Sequence, residues 1–160
     1  MRFFSTAHWS GTYSYRAGFT INGCSAVPFD AHIRMLCNGA FRGEAYDHAP
    51  SPHTGRALVK GRFRGPRFIW RKVYEQVPFI FVRSDGGHEY VGDYIERTFH
   101  QKVLGTFWHP PVFYLGTMSE PGTVIGKWFL RQYTVPLTDG FGLLFPGSSG
   151  DFRLSIPAKA

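Results

Sequence analysis

The segment from Ala57 to Tyr74 alternates two kinds of side chain about a central Gly65-Pro66 pair. Glycine allows the positive φ of the first central position in a type II′ turn, and proline suits the second position. The pair therefore predicts a β-hairpin with a two-residue loop. A slip of one residue would turn the charged side chains inward, so the hydrophobic pattern constrains the segment to one antiparallel register.

This register gives the predicted hairpin one charged face and one apolar face. On the inner side Phe63 faces Phe68, and Gly61 faces Trp70 and leaves room for its indole ring. We expect burial of Val59, Phe63, Phe68, Trp70 and Tyr74. The outer side carries five cations, which we call the basic face: Lys60, Arg62, Arg64, Arg67 and Arg71.

Turn signals recur about every ten residues along the rest of the chain, which is typical of a β-sandwich or β-barrel. The composition of 16 Phe, 8 Tyr, 4 Trp, 19 Gly and 11 Pro favours strands and turns over helices. We predict a single all-β domain over residues 1–160, an antiparallel up-and-down barrel of about 8–10 strands with a C-terminal irregular extension. Residues 1–8 are expected to form an N-terminal arm, and 139–150 a loop-rich segment.

Two further segments lead to specific predictions. Asn38-Gly39 predicts a type I′ hairpin turn that pairs Leu36 with Phe41. Strands are predicted at His88–Ile95 and Lys102–Trp108, with a short helix around Asp93 to Gln101 as the alternative for this region.

Several short motifs together resemble the calycin group of meandering β-barrels, which includes lipocalin, fatty-acid-binding and avidin-type proteins. Ser10-Gly11-Thr12-Tyr13 is similar to the opening strand of the group. The order of Trp70–Tyr74, Tyr90–Gly92 and Gly105–Trp108 is similar to avidin-type middle strands. The resemblance implies a barrel and a carrier function, but the polar residues that hold biotin have no counterparts near Gly11–Arg16.

The formal net charge of +7 predicts an acidic partner, either a nucleic acid, an anionic lipid surface or an acidic protein. No acidic residue lies between Asp47 and Glu75 to neutralise the basic face. The face could bind phosphates or an acidic protein surface. The alternative is a solvated outer strand face whose charges discourage edge pairing.

A ligand pocket inside the barrel is the second site to consider. Lys72 falls in the same phase as the core aromatics, and Arg34 and His32 are weaker candidates for that phase. Such groups could hold the anionic head of an apolar ligand, or they could lie at the barrel mouth with their heads in water. The predicted pocket residues are Arg34, Trp70, Lys72, Trp108 and Trp128.

No motif predicts catalysis, a metal or a cofactor. Glu44, Asp47, His48 and His53 lie close in sequence but match no metal-site spacing. The chain lacks G-x-S-x-G, a phosphate-binding glycine-lysine loop and a nucleophilic cysteine signature. We therefore expect a protein without catalytic residues, without a metal and without a cofactor.

The location is predicted from the cysteines and the first residues. Cys24 and Cys37 are expected to be free, buried thiols, which favours a reducing compartment. The opening Met1–Ala7 is basic and free of acids, as in organellar presequences, and no apolar run reaches the length of a membrane span. These features predict an intracellular, mitochondrial protein.

Two functions follow from these features. The first is a non-catalytic accessory or scaffold subunit that docks onto a larger mitochondrial protein assembly through its basic and aromatic surfaces. The alternative is a calycin-like carrier of a small apolar or anionic ligand. The barrel interior separates them, because large side chains should fill a scaffold whereas a carrier needs a cavity of roughly 300 Å³ or more.

Overall fold

The computed structural model of the chain describes residues 6–15, 20–21, 23–53, 55–83 and 85–158. Strands and one α-helix dominate this part of the chain. The strands are β1 Thr6–Tyr15, β2 Val27–Met35, β3 Ala40–Asp47, β4 Arg56–Arg64, β5 Arg67–Tyr74, β6 Ile80–Val82, β7 His88–Tyr90, β8 Val112–Glu120, β9 Thr123–Leu130, β10 Tyr133–Pro136, β11 Gly142–Phe145 and β12 Ser148–Ser155. The helix, α1, spans Val91–Phe99. None of the helical segments described is long and apolar enough to span a membrane.

Eight strands close into an antiparallel barrel in the order β1-β2-β3-β4-β5-β8-β9-β12, with β12 pairing back to β1. Each barrel strand therefore pairs with the next barrel strand along the chain. Two insertions interrupt this meander, one with β6, β7 and α1 between β5 and β8, and one with the β10-β11 hairpin between β9 and β12. The prediction of an all-β, up-and-down barrel is confirmed.

The β4-β5 hairpin has the predicted register. Phe63 pairs with Phe68 and Gly61 with Trp70, and the turn residue Gly65 has a φ of +57°. All five cations of the basic face are exposed. The inner side chains are buried, except that Phe63 is half-buried.

The predicted register of the β2-β3 hairpin is wrong by one residue. Met35, not Leu36, pairs with Phe41, because the loop Cys37–Gly39 has three residues and contains a short 3₁₀ turn. The observed register buries Phe41 together with Ile33, whereas the predicted one would have mixed inner and outer side chains. The buried face, and not the local turn preference, decides the pairing.

In the first insertion the alternative of a short helix around Asp93 to Gln101, and not the pair of strands, is close to what forms. The strand expected at His88–Ile95 ends at Tyr90, and α1 follows with Val91 and Ile95 buried one turn apart. Residues 102–108 form only isolated bridges at Val103 and Trp108. The helical spacing of the buried Val91 and Ile95 is thus the feature that decides the structure here.

The N-terminal arm, the segment 139–150 and the cysteines each differ in part from the prediction. Residues 6–8 of the predicted N-terminal arm belong to β1, and residues 1–5 lie outside the described part. The segment 139–150 contains β11 and the first residues of β12. Cys24 and Cys37 are free, as expected, but both are exposed and not buried.

Aromatic side chains fill one end of the barrel. The Trp9 and Phe41 ring centroids lie 5.0 Å apart, and Phe41 stacks on Phe68 at 5.5 Å. Trp70 lies at the inner edge of this group and is 2% exposed. The half of the interior near the β4-β5 turn is therefore a solid core.

Gly61 is needed where the β4 backbone passes this core. A Cβ atom at Gly61 would lie 2.2 Å from Cζ of Phe41 and 2.3 Å from the Ile69 carbonyl oxygen. The ring that uses the space is thus that of Phe41, and not the expected Trp70 indole.

We predict that Gly61→Ala lowers the free energy of unfolding by about 1–3 kcal/mol, because the core is too tightly packed to admit the methyl group. Thr117→Ala, on the exposed side of β8, is the control and should change stability by less than about 0.5 kcal/mol. Urea denaturation measures both. Equal effects of the two substitutions would contradict this account of the core.

Candidate functional site: a neutral cavity above a buried ion pair

The other end of the barrel holds a cavity of about 590 Å³. Barrel residues such as Tyr13, Tyr114 and Trp128 form its wall. The two insertions cover it, with Phe79 and Tyr94 from the first and Tyr133 from the second. This volume is within the range of small-molecule sites, so the barrel is filled at one end and hollow at the other.

A buried ion pair lies beneath this cavity. Lys72 in β5 contacts Oδ1 of Asp47, the last residue of β3, and both side chains are almost fully inaccessible. The Tyr74 hydroxyl donates to Oδ2 of Asp47, and the Tyr13 hydroxyl lies 3.3 Å from the same oxygen. Three donors therefore surround the carboxylate, which is the arrangement that makes a buried charge pair tolerable.

Aromatic rings, as well as Asp47, stabilise the positive charge of Lys72. Its ammonium group lies 4.9 Å from the Tyr74 ring centroid and 5.6 Å from that of Phe29. Burial lowers the pKa of Lys72, and the charge of Asp47 opposes that decrease. Lys72 does not itself line the cavity.

Two histidines meet at the cavity wall. Nε2 of His53, in the loop after β3, lies 3.1 Å from Nε2 of His109, which precedes β8. Nδ1 of His109 lies 2.6 Å from the Pro110 carbonyl oxygen and must donate to it, so its neutral Nε2 accepts the hydrogen bond from His53. This leaves Nδ1 of His53 as an acceptor, and it has no partner among the described residues.

Burial keeps these groups uncharged at neutral pH. It lowers the pKa of His109 to about 4 and moves the pKa of His53 well below its ordinary value, with the neighbouring His109 as the next cause. Burial also raises the pKa values of Tyr13, Tyr74 and Tyr114 well above the ordinary value. The tyrosines are therefore neutral hydroxyl donors.

Tyr114 is a lining tyrosine whose hydroxyl has no hydrogen-bond partner among the described residues, and Tyr133 is another. The side chain of Tyr114 is 4% exposed. Its ring is fixed by Trp70 and Phe152, at centroid distances of 5.6 Å and 5.2 Å. No Asp, Glu, Lys or Arg is among the described residues that line the cavity. The wall is therefore uncharged and largely aromatic, with unused hydrogen-bonding capacity.

The structure brings only part of the predicted pocket together. Trp128 lines the cavity, and Lys72 lies beneath it, as its inward phase predicted. Trp70 belongs to the aromatic core. Arg34 is exposed on the outer side of β2, since the corrected register pairs it with the outward Arg42, and Trp108 is 50% exposed in the first insertion. Arg34 and Trp108 are therefore not pocket residues.

The acidic residues and histidines near position 47 do not form one cluster, because some lie outside the barrel and others inside. His48 faces outward and contacts Asp30 at 2.5 Å, whereas His53 and Asp47 lie inside. His32, which was a weaker candidate for an inward position, is also exposed on the outer side of β2. Asp47 could have been recognised from its phase, because it lies an even number of residues from the inward Phe41 in the same strand.

Most residues of the cavity wall are not predicted by the sequence pattern. Tyr13, Tyr74 and Tyr114 follow the inward phase of their strands, but the phase alone does not separate a filled interior from a hollow one. His109 lies between a tryptophan and two prolines, and no periodic pattern marks it. Only the folded insertion places it against His53.

Comparison with known proteins adds no relative. No family model matches the chain, and neither the curated proteins nor the solved structures contain a match. A functional assignment therefore depends on the geometry of the barrel and its surface.

The buried pair gives a prediction about stability. Lys72→Met and Asp47→Asn should each lower the free energy of unfolding by about 3–5 kcal/mol, because each leaves a buried partner uncompensated. The double variant should cost clearly less than the sum of the two. Urea denaturation of all three measures the coupling.

The exposed pair of Lys127 and Asp151 supplies the control for that cycle. Lys127→Met and Asp151→Asn should each change stability by no more than about 1 kcal/mol. Additive losses at Lys72 and Asp47 would show that the two residues do not depend on each other.

The histidines give a prediction about pH. Between pH 6.5 and about 4 the unfolded chain binds a proton at His109 that the folded chain excludes, so stability falls as the pH drops through this range. From pH 7 to pH 5 we expect His109 to account for a loss of about 2 kcal/mol, and His53 adds to it. Urea denaturation at the two pH values tests this.

His109→Phe should make stability less dependent on pH, whereas His100→Asn, at an exposed position after α1, should leave the dependence unchanged. A wild-type stability that stays constant between pH 7 and pH 5 would show that the histidines are accessible to protons in the folded state.

Proposed function

We propose that this chain is a calycin-like binding protein that holds a small, uncharged and largely apolar ligand in the cavity at the end of its barrel. The observation that supports this most is the cavity of about 590 Å³ with aromatic walls and without a charged lining residue. The size and the mixture of apolar surface with a few polar groups are those of small-molecule sites.

The Tyr114 hydroxyl favours a ligand with a hydrogen-bond acceptor, whereas Nδ1 of His53, an acceptor without a described partner, would favour a donor. Tyr114 lines the cavity and its hydroxyl donates to no described residue, so it is available for a hydrogen bond to a ligand or to water. A carbonyl or ether oxygen on the ligand would supply the missing acceptor. The remainder of the ligand would contact the rings of residues such as Trp128 and Phe79.

An anionic ligand, which the sequence left open, fits less well. Lys72 is the buried cation closest to the cavity, and Asp47 already neutralises it. A carboxylate in the cavity would lose its hydration without gaining a free cation. We therefore propose an uncharged ligand.

The proposal is for binding without chemical conversion. Lys72 and Asp47, the charged groups beneath the cavity, contact each other and the tyrosines and are not among its lining residues. The sequence also lacks a nucleophile motif, as described above. A cavity with aromatic walls is sufficient for a carrier, which needs no catalytic residue.

The accessory-subunit function is a second proposal, and an apolar group on the outer surface favours it. Ile69 and Leu115 pair across β5 and β8, with Ile125 close by on β9, and all three are between 46% and 49% exposed. Contiguous exposed aliphatic side chains beside arginines are typical of protein interfaces. The mitochondrial location stays a prediction.

Nile red, an uncharged fluorophore with a carbonyl acceptor, tests the ligand-binding proposal by fluorescence titration. We expect saturable binding at one site, and Tyr114→Phe should weaken it by about 3- to 10-fold, the value of one hydrogen bond. Tyr46→Phe, which alters a tyrosine bonded to Glu44 outside the cavity, should leave the affinity unchanged. An absence of saturable binding by the folded wild type would contradict the proposal.

A further inference from the structure

The cations on one side of the barrel lack the acidic partners that several cations elsewhere in the described structure have. Arg56, Arg97, Lys127 and Arg153 each form an ion pair with a glutamate or aspartate. The described residues provide no such partner for the basic face or for Arg42 beside it in β3. Six unpaired cations therefore share three adjacent strands.

The strand register brings these charges together. Arg42 pairs with Lys60, and Lys60 pairs with Arg71, so three cations form one row across strands about 4.8 Å apart. Arg64 faces Arg67 at the end of the hairpin. Like charges directly opposite each other are destabilising, so the folded chain alone gains nothing from this arrangement.

The nearest acid in the same sheet does not neutralise the row. Glu44, two residues after Arg42, accepts hydrogen bonds from Arg56 and from the Tyr46 hydroxyl at 3.1 Å and 2.8 Å. The face thus presents a concentrated positive charge that is available to a partner.

The neighbouring side chains indicate what kind of partner fits. Arg62 pairs with Ile69, and Ile69 pairs with Leu115, so the cations border directly on the exposed aliphatic group. A phosphate backbone offers no apolar surface to cover these aliphatic side chains. The half-buried ring beside Arg71, that of Phe113, is stacked on Phe129 and covered by Arg131, so it has no free face for base stacking. Ile69 and Leu115 are only about half-exposed on the outer side of the sheet. They therefore do not project far enough to insert into a membrane, as the apolar face of a membrane-binding helix does.

We infer that the basic face and Arg42, with Ile69 and Leu115 beside them, bind an acidic protein surface that presents Asp or Glu carboxylates next to apolar side chains. This deepens the proposed accessory-subunit function and rests on it. Five of the six cations are arginines, whose planar guanidinium groups bind carboxylates with two parallel hydrogen bonds. The aliphatic pair would supply the apolar contact that holds the complex.

A fluorescein-labelled poly-L-glutamate peptide, measured by anisotropy across a salt series, tests the chemistry of this surface. Replacing Lys60, Arg62, Arg64 and Arg67 with serine should weaken binding by about tenfold or more and reduce its salt dependence. The matched control replaces Lys127, Arg56, Arg97 and Arg153 with serine, which removes the same number of lysines and arginines from paired sites. The control should bind within about threefold of the wild type.

Three results would overturn the inference. One is equal weakening in both fourfold variants, which would show that binding follows net charge alone. The others are tighter binding to duplex DNA, or to phosphatidylserine vesicles, than to poly-L-glutamate at the same salt concentration. Thermal melts must show that both variants remain folded, which we expect because exposed charges contribute little stability.

The accessory-subunit function has a separate test, the size of the native complex. If Ile69→Ser with Leu115→Ser releases the chain from a large complex but the serine variant of the basic face does not, docking stands and the acidic-partner inference fails. If the chain migrates as a monomer in native extract while the glutamate peptide binds as expected, the docking function fails and the inference about the chemistry of the face stands.

Discussion

The contact between Asp47 and Lys72 is the interaction on which the hollow end of the barrel depends. Each charge alone would cost several kcal/mol to bury, and together they are acceptable only because Tyr13 and Tyr74 complete the hydrogen bonds of the carboxylate. The hydroxyls of these tyrosines are thereby fixed beneath the cavity. The rings of the same residues form part of its wall, so one polar contact positions an apolar surface.

The two ends of the barrel differ in how completely side chains fill them. At one end, rings such as Trp9, Phe41 and Phe68 pack against each other and glycine lets the backbone approach them. At the other end, the insertions between barrel strands cover a space that side chains do not fill. The packing of the solid half stabilises the fold and offsets the packing energy that is lost at the cavity.

The alternation in β4 and β5 was enough to predict their pairing, the exposed basic face and the inward position of Lys72, because a period of two leaves one register that buries the aromatics. At Asn38-Gly39 turn preference competes with burial, and burial decides the register. Trp108 lies outside strand structure, and the strand predicted there is wrong because a short apolar segment does not distinguish strands from irregular insertions. The Asp47 network is a contact between distant strands, and no local pattern encodes it.

The central claim is that the cavity is electrically neutral and selects uncharged ligands, because Lys72 is neutralised by Asp47. Isothermal titration calorimetry with dodecanol and dodecanoate at neutral pH compares ligands that differ mainly in the charge of the head group. The account predicts that dodecanol binds at least about tenfold more tightly, since burying an unpaired carboxylate is costly. Equal or tighter binding of dodecanoate would show that a cation is available in the cavity and would contradict the account.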